Sequence, residues 1–351
     1  MPTAFLLYGA TGFVGEAIAR RAVAQGLRPV LAGRNADRLA ALASELGVEH
    51  RAFTLEDPQG MDAALAGVPA VLHCAGPYLH TAAAMVNGCL RTGTHYLDIS
   101  GELPVYAALA KRDSEANAAG VMLLPGAGFD VVPTDCLALH LKQRLPSATH
   151  LALAFHSDGP AALPPGTVNT FFELIPSGDR IRVNGELVSP PRRTKTRQID
   201  FGQGPRTAMR LTWGDVFTAH RSTGIPNIED YAVWSAGLRR QLAMVAYVRP
   251  LFRSRPVREL MKRTLKSGST PEERGRTRTH VWGEVVDAEG RRAVSRLHGP
   301  EAGVTWTALA ALSAVRRVLA GDAPAGFQTP ATAFGADFVL ECEGVSREDV
   351  E

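Results

Sequence analysis

The feature that most constrains this chain lies in its first fifteen residues, where a short apolar run ends in a cluster of glycines. The run covers residues 4–8, and the cluster reads Gly9-Ala10-Thr11-Gly12-Phe13-Val14-Gly15. An alanine-rich stretch with helical periodicity follows. This order predicts a strand, a tight turn and a helix, because glycine lets the backbone turn sharply and approach a ligand closely. The first N–H groups of such a helix favour an anion.

A second apolar run, residues 29–32, ends in Gly33-Arg34-Asn35. About 20 residues after the glycine turn, a dinucleotide-binding unit carries an acid for the ribose 2′-hydroxyl of NAD, or an arginine for the 2′-phosphate of NADP. Arg34 therefore predicts NADP(H), and the alternative is a solvated arginine on a structural turn. The cofactor-binding residues expected from the two turns are Gly9, Thr11, Gly12, Phe13, Val14, Gly15, Arg34 and Asn35.

Length and composition indicate the class of protein. At 351 residues the chain suits two domains, each large enough to bury a core. Hydrophobic residues make up 45% and charged residues 21%, a balance that is typical of a soluble globular protein and not of a disordered one. The net charge is only +3, so overall charge gives no support to nucleic-acid binding.

The four cysteines favour a cytoplasmic protein. They are scattered without a C-x-x-C pair, which predicts reduced thiols and neither disulfides nor a zinc site. The first predicted strand begins almost at Met1, so we expect no signal peptide. No apolar run is long enough to span a bilayer. The sequence contains no H-E-x-x-H, no P-loop and no Cys/His cluster, so we expect no metal.

Strand and helix patterns alternate with short connections up to about residue 124. Such alternation predicts an α/β fold with a Rossmann-like, doubly wound parallel sheet. After residue 150 the pattern changes to short strands, with a two-residue hairpin turn at Asn184-Gly185, a strand pair about residues 287–290 and a helix over residues 305–319. We therefore expect a second α+β domain with a mixed or antiparallel sheet. The predicted divisions are 1–145 for the NADP-binding domain, 146–325 for a substrate or oligomerisation domain, and 326–351 for a segment that packs back on the first domain.

The fourth predicted strand, residues 68–74, is followed by Ala75-Gly76-Pro77-Tyr78. Ligands of doubly wound sheets bind outside the carboxyl ends of the strands, where the strand order reverses. This position predicts that Ala75, Gly76 and Pro77 line the cofactor ribose and that Tyr78 lies near the nicotinamide.

A tyrosine hydroxyl can stabilise an enolate or supply a proton, so Tyr78 is the first catalytic candidate. The fifth predicted strand supplies Tyr96 and Asp98 as further catalytic candidates. His95 beside them is either a proton relay or, the favoured alternative, a hydrogen-bonded structural residue.

Three acids follow the fifth and sixth strands at the same predicted edge of the sheet: Asp98, Glu102 and Asp130. Carboxylates in such loops commonly cap helices or hold turns. This structural interpretation is the favoured one for each acid taken singly.

Several segments resemble the saccharopine dehydrogenase-like oxidoreductases. They are the glycine turn, Gly76-Pro77-Tyr78, residues 93–102 (G-T-H-Y-x-D-x-x-G-E) and residues 126–135 (G-A-G-F-D-x-x-P-x-D). Motifs of the second half are similar to the trans-acting enoyl reductase branch of that family: W-G-D at 213–215, S-T-G-I-P-N-I at 222–228, W-G-E at 282–284, G-F-Q-T-P at 326–330 and F-G-A-D-F at 334–338. The resemblance implies an NADP-binding Rossmann domain followed by an α+β domain whose sheet walls the substrate side.

Three functions stay open at this point. The first is an NADPH-dependent enoyl reductase that reduces a carbon–carbon double bond in a lipid or polyketide intermediate. The second is an opine-type or saccharopine-like dehydrogenase, or an imine reductase, that binds substrate carboxylates through Arg192, Arg193, Lys195 and Arg197. The third is a non-catalytic NADP-binding sensor or scaffold. No tyrosine is followed four positions later by lysine, so the dyad of short-chain dehydrogenases is absent. The first function is the one that the motifs favour.

The segment from Asp230 to Lys266 is basic and apolar, and two prolines interrupt its helical pattern. Such a segment suits a membrane surface or an acidic partner, and the alternative is a core-facing helix with a solvated basic face. Its part 238–266 is the predicted contact for an acyl carrier protein that presents the substrate, or for peripheral membrane association of a cytoplasmic protein. A homodimer is a further expectation, and nucleic acid is not expected as a partner.

Overall fold

The computed structural model describes residues 4–350 apart from residues 161, 176–177, 192–194, 241–251, 253, 255–256 and 258–266. Its contacts divide the chain into two compact units. Unit 1 comprises residues 1–132 and 304–335, and unit 2 comprises residues 133–303 and 336–351.

Unit 1 is built on a seven-stranded parallel sheet with the order β15-β6-β5-β4-β1-β2-β3. The strands are β1 (Ala4–Tyr8), β2 (Arg28–Gly33), β3 (His50–Ala52), β4 (Ala70–His73), β5 (His95–Asp98), β6 (Met122–Leu124) and β15 (Gly326–Phe327). The helices are α1 (Phe13–Ala24), α2 (Ala36–Leu46), α3 (Pro58–Leu65), α4 (Tyr78–Thr92), α5 (Leu103–Ala110), α6 (Asp113–Ala119), α11 (Thr307–Leu319) and α12 (Pro330–Phe334). A π-helical turn, Ala302–Trp306, precedes α11.

The central strands of unit 1 are short and almost continuously apolar. Every residue of β4 is buried, and so is every residue of β1 after Ala4. Strands of a parallel sheet have both faces covered, so they read as apolar runs without alternation. Helices α2 and α4 end at Gly47 and Gly93, whose φ angles of +65° and +70° are in the left-handed region that favours glycine.

The late part of the chain completes this unit. Nearly the whole of α11 is buried, and it packs against α1, β4 and β5. Strand β15 pairs in parallel with β6 and adds the outermost strand on that side. The sheet of unit 1 is therefore made from two segments that are far apart in sequence.

Unit 2 contains a nine-stranded mixed sheet. The strands are β7 (His150–Asp158), β8 (Ile181–Val183), β9 (Glu186–Val188), β10 (Thr196–Asp200), β11 (Pro205–Leu211), β12 (Asn227–Val233), β13 (Arg278–Val286), β14 (Arg292–Gly299) and β16 (Ser346–Asp349). The main order is β10-β11-β12-β7-β13-β14-β16, and the β8–β9 hairpin joins at β12. Strands β12 and β7 are parallel, and the other pairs are antiparallel. The helices are α7 (Val132–Arg144), α8 (Pro165–Leu174), α9 (Asp215–Thr223), α10 (Pro271–Gly275) and a 3₁₀ turn, Phe338–Glu341.

Local sequence signals account for much of unit 2. Asn184 and Gly185 form the predicted hairpin turn with φ angles of 50° and 84°. Gly283 allows α7 to pack closely on β13, because a Cβ at this position would lie 2.5 Å from Leu141 Cδ1. The sheet also curls on itself, since Arg296 of β14 donates a hydrogen bond to the Asp200 carbonyl of β10 at 3.0 Å.

The predicted fold class is confirmed: unit 1 carries the doubly wound parallel sheet and unit 2 the mixed sheet. The divisions differ from the predicted ones at 145 and 325. The helix over 305–319 belongs to unit 1, although the prediction placed it in the second domain, and it is preceded by a π-helical turn. Of the segment 326–351, residues 326–335 join unit 1 and residues 336–351 join unit 2, where β16 pairs with β14.

Candidate dinucleotide site

The glycine turn between β1 and α1 packs closely against the neighbouring strands. Gly9 has a φ of +83°, and a Cβ there would lie 2.9 Å from the carbonyl carbon of Cys74. At Gly15 a Cβ would lie 2.2 Å from the carbonyl oxygen of Gly9. The Gly9 N–H donates to the Ala32 carbonyl of β2 at 2.8 Å. Backbone packs directly on backbone here, so these two positions require glycine.

The N-terminus of α1 is open at the surface. Gly12 precedes the helix without a side-chain cap, and both Gly12 and Phe13 are exposed. Thr11 and Val14 are half-buried beside them. A helix N-terminus without a side-chain cap favours a negatively charged group through its N–H groups and its dipole. The arrangement fits the diphosphate of a dinucleotide, because the backbone can be approached with no Cβ in the way.

Two arginines lie near this turn, and sequence reasoning found only one of them. Arg34 and Asn35 are exposed after β2, and Asn35 Oδ1 accepts the Arg38 backbone N–H at 2.9 Å, which caps α2. The Arg38 guanidinium donates to the Thr11 carbonyl at 2.9 Å, so it reaches from α2 to the glycine turn. In the sequence, Arg38 could have been found from its position in the first turn of the helix that follows Arg34. Both guanidinium groups could hold a phosphate.

The turn Ala75-Gly76-Pro77 joins β4 to α4 at the carboxyl edge of the sheet. The Thr81 hydroxyl donates to the Ala75 carbonyl at 2.8 Å, and Gly76 is exposed. Helix α4 begins at Tyr78, directly after Pro77. Tyr78 is therefore the first residue of a helix and not part of the turn.

Glu102 caps the N-terminus of α4. Its two carboxylate oxygens accept the backbone N–H groups of Tyr78 and Leu79 at 2.8 and 2.7 Å. The side chain is only 1% exposed, so this is a buried cap supplied from a loop that lies later in the chain. A carboxylate at a helix N-terminus stabilises the helix through both hydrogen bonds and the dipole. The structural interpretation holds for Glu102.

Asp98 holds the loops that follow β5 and β6. Its Oδ2 accepts the Tyr96 hydroxyl at 2.7 Å, and its Oδ1 accepts the Ser100 hydroxyl at 2.7 Å and the Gly126 N–H at 2.8 Å. Asp98 and Tyr96 are both fully buried. Burial raises the pKa of Asp98, although the hydrogen bonds from Ser100 and Tyr96 oppose the rise.

The three predicted catalytic residues, Tyr78, Tyr96 and Asp98, lie close together. The rings of Tyr78 and Tyr96 have centroids 5.4 and 6.2 Å from that of His73, and the Tyr78 hydroxyl donates to the His73 carbonyl at 3.3 Å. All of these side chains are buried, and Tyr78 is 7% exposed. Burial, followed by neighbouring ionisable groups, raises the pKa of both tyrosines above the ordinary value. The three side chains are therefore shielded from solvent.

His95 has a hydrogen-bond partner in the sheet, since its Nδ1 accepts the Met122 N–H at 3.0 Å. Burial lowers its pKa. These observations favour the structural interpretation over a relay. In the part of the chain that the structure describes, no group of three or more His, Cys, Asp or Glu side chains is arranged to hold a metal ion.

We expect Tyr78→Phe to leave kcat within about threefold of the unchanged protein and to lower the free energy of unfolding by about 1 kcal/mol, the usual net value of one hydrogen bond. The reason is that the hydroxyl contacts a backbone carbonyl inside the unit. Denaturant unfolding and steady-state kinetics measure the two quantities. A hundredfold loss of kcat at unchanged stability would instead restore Tyr78 as a chemical participant.

Unit 1 thus has the sheet order, the glycine turn and the open helix N-terminus of a nicotinamide dinucleotide-binding Rossmann domain. Residues 5–124 match the family model described as the saccharopine dehydrogenase NADP-binding domain. The match covers about a third of the chain, and the predicted NADP(H) cofactor agrees with it.

Curated relatives carry the two names that the motifs predicted. The chain is 33% identical over 148 residues to a trans-acting enoyl reductase of Mycobacterium leprae (strain TN), an alignment that covers 40% of this chain and 35% of that protein. It is 28% identical over 225 residues to a trans-acting enoyl reductase of Mycobacterium ulcerans (strain Agy99), covering 58% and 53%. It is 29% identical over 167 residues to a saccharopine dehydrogenase-like oxidoreductase of Mus musculus, covering 41% and 38%. The chain therefore spans between about a third and a half of the length of these relatives. The predicted resemblance is confirmed.

Among solved structures, the chain is similar to apo saccharopine dehydrogenase (L-Glu forming) from Saccharomyces cerevisiae. The TM-score is 0.69 at 15% identity, and the match covers 99% of this chain and all of that one. At this identity the similarity shows a shared fold.

Proposed function

We propose that this protein is an NADP(H)-dependent oxidoreductase that reduces a carbon–carbon double bond conjugated to a carbonyl, in a lipid or polyketide intermediate. The observation that carries the proposal is the exposed N-terminus of α1 after the glycine turn of an NADP-binding domain, in a chain similar to trans-acting enoyl reductases. The alignment with the Mycobacterium ulcerans protein covers 58% of this chain, so it extends beyond the family-model match over residues 5–124.

When bound, NADPH would supply a hydride to the β-carbon of the substrate, and negative charge would develop on its carbonyl oxygen. This chain would hold the diphosphate at the glycine turn and the N-terminus of α1. Arg34 would bind the 2′-phosphate, and the Arg38 guanidinium would be a second donor to that phosphate. The turn Ala75-Gly76-Pro77 would line the ribose. Unit 1 thus positions the cofactor, and the remaining requirement is a proton for the α-carbon.

The opine-type alternative needs cationic side chains that converge on substrate carboxylates. Arg192 and Arg193 lie outside the described residues. Lys195 is paired with Glu229, and Arg197 contacts Glu284 at 2.5 Å while its guanidinium lies 4.8 Å from the Trp282 ring centroid. The two described cations are thus already neutralised by glutamates of the same sheet. This pairing favours the enoyl reductase proposal.

The partner expectations follow from the proposed substrate. An acyl chain presented by an acyl carrier protein fits the name of the relatives, and the basic segment 238–266 is the proposed contact for the carrier or for a membrane surface. Most of that segment lies outside the described residues. Among the helices that are described, none combines the length and the hydropathy needed to cross a bilayer. A homodimer and a cytoplasmic location stay predictions.

The experiment that tests the function is a fluorescence titration of the purified protein with NADPH, followed by NADPH oxidation in the presence of candidate substrates. One panel contains enoyl thioesters of increasing chain length, and the other contains pairs of a keto acid and an amine. We expect NADPH binding in the micromolar range or tighter and oxidation by the thioesters only. The saturated thioesters are the matched control, because they present the same chain without the double bond.

Each other outcome contradicts a different part of the proposal. Oxidation by the keto acid and amine pairs alone would establish the opine-type alternative. Tight NADPH binding without turnover of either panel would favour the sensor or scaffold, and failure to bind NADPH would overturn the cofactor site itself.

A further inference from the structure

Asp130 lies at the ligand edge of unit 1, in the loop Pro125–Val131 that follows β6. Two hydrogen bonds fix the start of this loop to Asp98: the Gly126 N–H donates to Asp98 Oδ1 at 2.8 Å, and the Ala127 N–H donates to the Asp98 carbonyl at 2.6 Å. The Phe129 N–H donates to the Thr307 hydroxyl at 3.3 Å. After Asp130, the Val131 and Val132 N–H groups donate to the Gly128 carbonyl at 3.3 and 3.0 Å, so the backbone is held on both sides of Asp130.

The other two acids of this edge are fully engaged in structure. Asp98 accepts four hydrogen bonds and is 0% exposed, and Glu102 caps α4 and is 1% exposed. Asp130 is also in contact with its neighbours, but the residue is only half-buried. It is therefore the acid of the three that a ligand at this edge can contact.

The surroundings of Asp130 are shaped around its carboxyl. A Cβ added at Gly101 would lie 2.8 Å from Asp130 Oδ2, so the carboxyl packs directly on the Gly101 backbone. Glu102 is the adjacent charge, and the ionisable groups Tyr78, Cys74 and Asp98 also interact electrostatically in this corner. Burial, with Glu102 as the second cause, raises the pKa of Asp130 to about 7. A carboxylic acid that keeps its proton near neutral pH can act as a general acid.

We propose that Asp130 is the proton donor of this site and delivers a proton to the substrate carbon that becomes nucleophilic after reduction. The proposal rests on the proposed function. Bound NADPH would be oxidised to NADP+ as its nicotinamide C–H bond breaks and a C–H bond forms at the β-carbon of the substrate. The π electrons would move to the carbonyl oxygen, and the resulting enolate would take a proton from the Asp130 carboxyl at its α-carbon as the carbonyl re-forms. The O–H bond of the carboxyl breaks as the C–H bond forms, and solvent then returns a proton to the carboxylate.

The assignment also gives Glu102 a second effect beyond capping α4. Its negative charge next to Asp130 disfavours ionisation of Asp130, so the cap and the proton donor are electrostatically linked. Gly101 is needed for the same arrangement, since any side chain there would displace the carboxyl.

The test is Asp130→Asn, which preserves shape and removes the exchangeable carboxyl proton. We expect kcat to fall at least a hundredfold, in the range that general acids contribute, while the Kd for NADPH changes less than twofold. In the unchanged protein kcat should decline as the pH rises through about 7, because the donor loses its proton, and this limb should be absent in the variant. Asp130→Glu should restore part of kcat and the pH limb. Asp62→Asn, at an exposed pair with Arg91, is the matched control.

A second measurement tests the protonation state without turnover. A carboxyl whose pKa is raised in the folded protein keeps its proton while the unfolded chain loses it, so stability falls as the pH rises from about 4 to about 7. This decline in denaturant midpoint should be smaller in Asp130→Asn than in the unchanged protein and in Asp62→Asn. A decline of equal size in Asp130→Asn and in the unchanged protein would contradict a raised pKa of Asp130.

The outcomes separate the two proposals. If the unchanged protein oxidises NADPH with thioesters but Asp130→Asn keeps both its kcat and its pH limb, the assignment of Asp130 is wrong and the proposed function stands. If no thioester is reduced by the unchanged protein, the proposed function fails and the assignment, which depends on it, fails too.

Discussion

Gly15→Ala is expected to raise the Kd for NADPH by at least about a hundredfold and to destabilise unit 1 by about 1–3 kcal/mol, the usual cost of overpacking a well-packed site. The added Cβ would lie 2.2 Å from the carbonyl oxygen of Gly9, and a backbone atom cannot be moved aside as a flexible side chain can. The turn would have to open, which would misplace the first N–H groups of α1. NADPH fluorescence titration and denaturant unfolding measure the two effects.

The matched control is Gly166→Ala, because a Cβ at Gly166 meets no atom within 4 Å. It should leave NADPH binding and the unfolding midpoint almost unchanged. NADPH binding by Gly15→Ala within threefold of the unchanged protein would show that the glycine turn is not where the diphosphate binds.

The second large effect concerns the choice between the two cofactors. Arg34→Asp is expected to raise the Kd for NADPH about a hundredfold and to change the Kd for NADH less than threefold, because the new carboxylate repels a 2′-phosphate and can accept a 2′-hydroxyl. Parallel titrations with NADPH and NADH at fixed ionic strength measure the ratio. Arg38→Ala should show a smaller loss of NADPH affinity, since its guanidinium also binds the Thr11 carbonyl.

Arg28→Asp provides the comparison for net charge. Arg28 begins the same strand, β2, at the end opposite to Arg34, and it is exposed. The substitution makes the same charge change away from the ligand edge, so the ratio of the two dissociation constants should stay constant. An equal loss of affinity for NADPH and NADH in Arg34→Asp would remove Arg34 from the 2′-phosphate site.

The parts of the fold that depend on neighbouring residues were predictable. Apolar runs ending in glycine identified β1 and β2, and Asn184-Gly185 identified the hairpin of β8 and β9. Membership of α11 in unit 1 was not predictable in this way, because its partners β4 and β5 lie some two hundred residues earlier in the chain. Periodicity indicates that a helix has a buried face, but it does not identify the sheet that covers it.

In the candidate site, too, the local features were predictable from the sequence and the long-range contacts were not. The glycine turn and Arg34 could be found from spacing, since the diphosphate and the ribose impose local requirements on the chain. The roles of the residues around Tyr78 depended on contacts made in three dimensions. Glu102 starts α4 at Tyr78 through hydrogen bonds across 24 and 23 positions, and the fold buries Asp98 more deeply than Asp130. Sequence could place all three acids at one edge without distinguishing their functions.

Unit 1 is built from two segments that are far apart in the chain, and this has a consequence for its synthesis. A ribosome that has released residues 1–132 has made six of the seven strands, but β15 and the buried helix α11 emerge only after residues 133–303. At ordinary elongation rates this delay is on the order of ten seconds or more. Throughout that time the surface of β4 and β5 that α11 later covers is open to chaperones and to other nascent chains. Six strands of the cofactor domain are thus synthesised well before the strand and the helix that complete it.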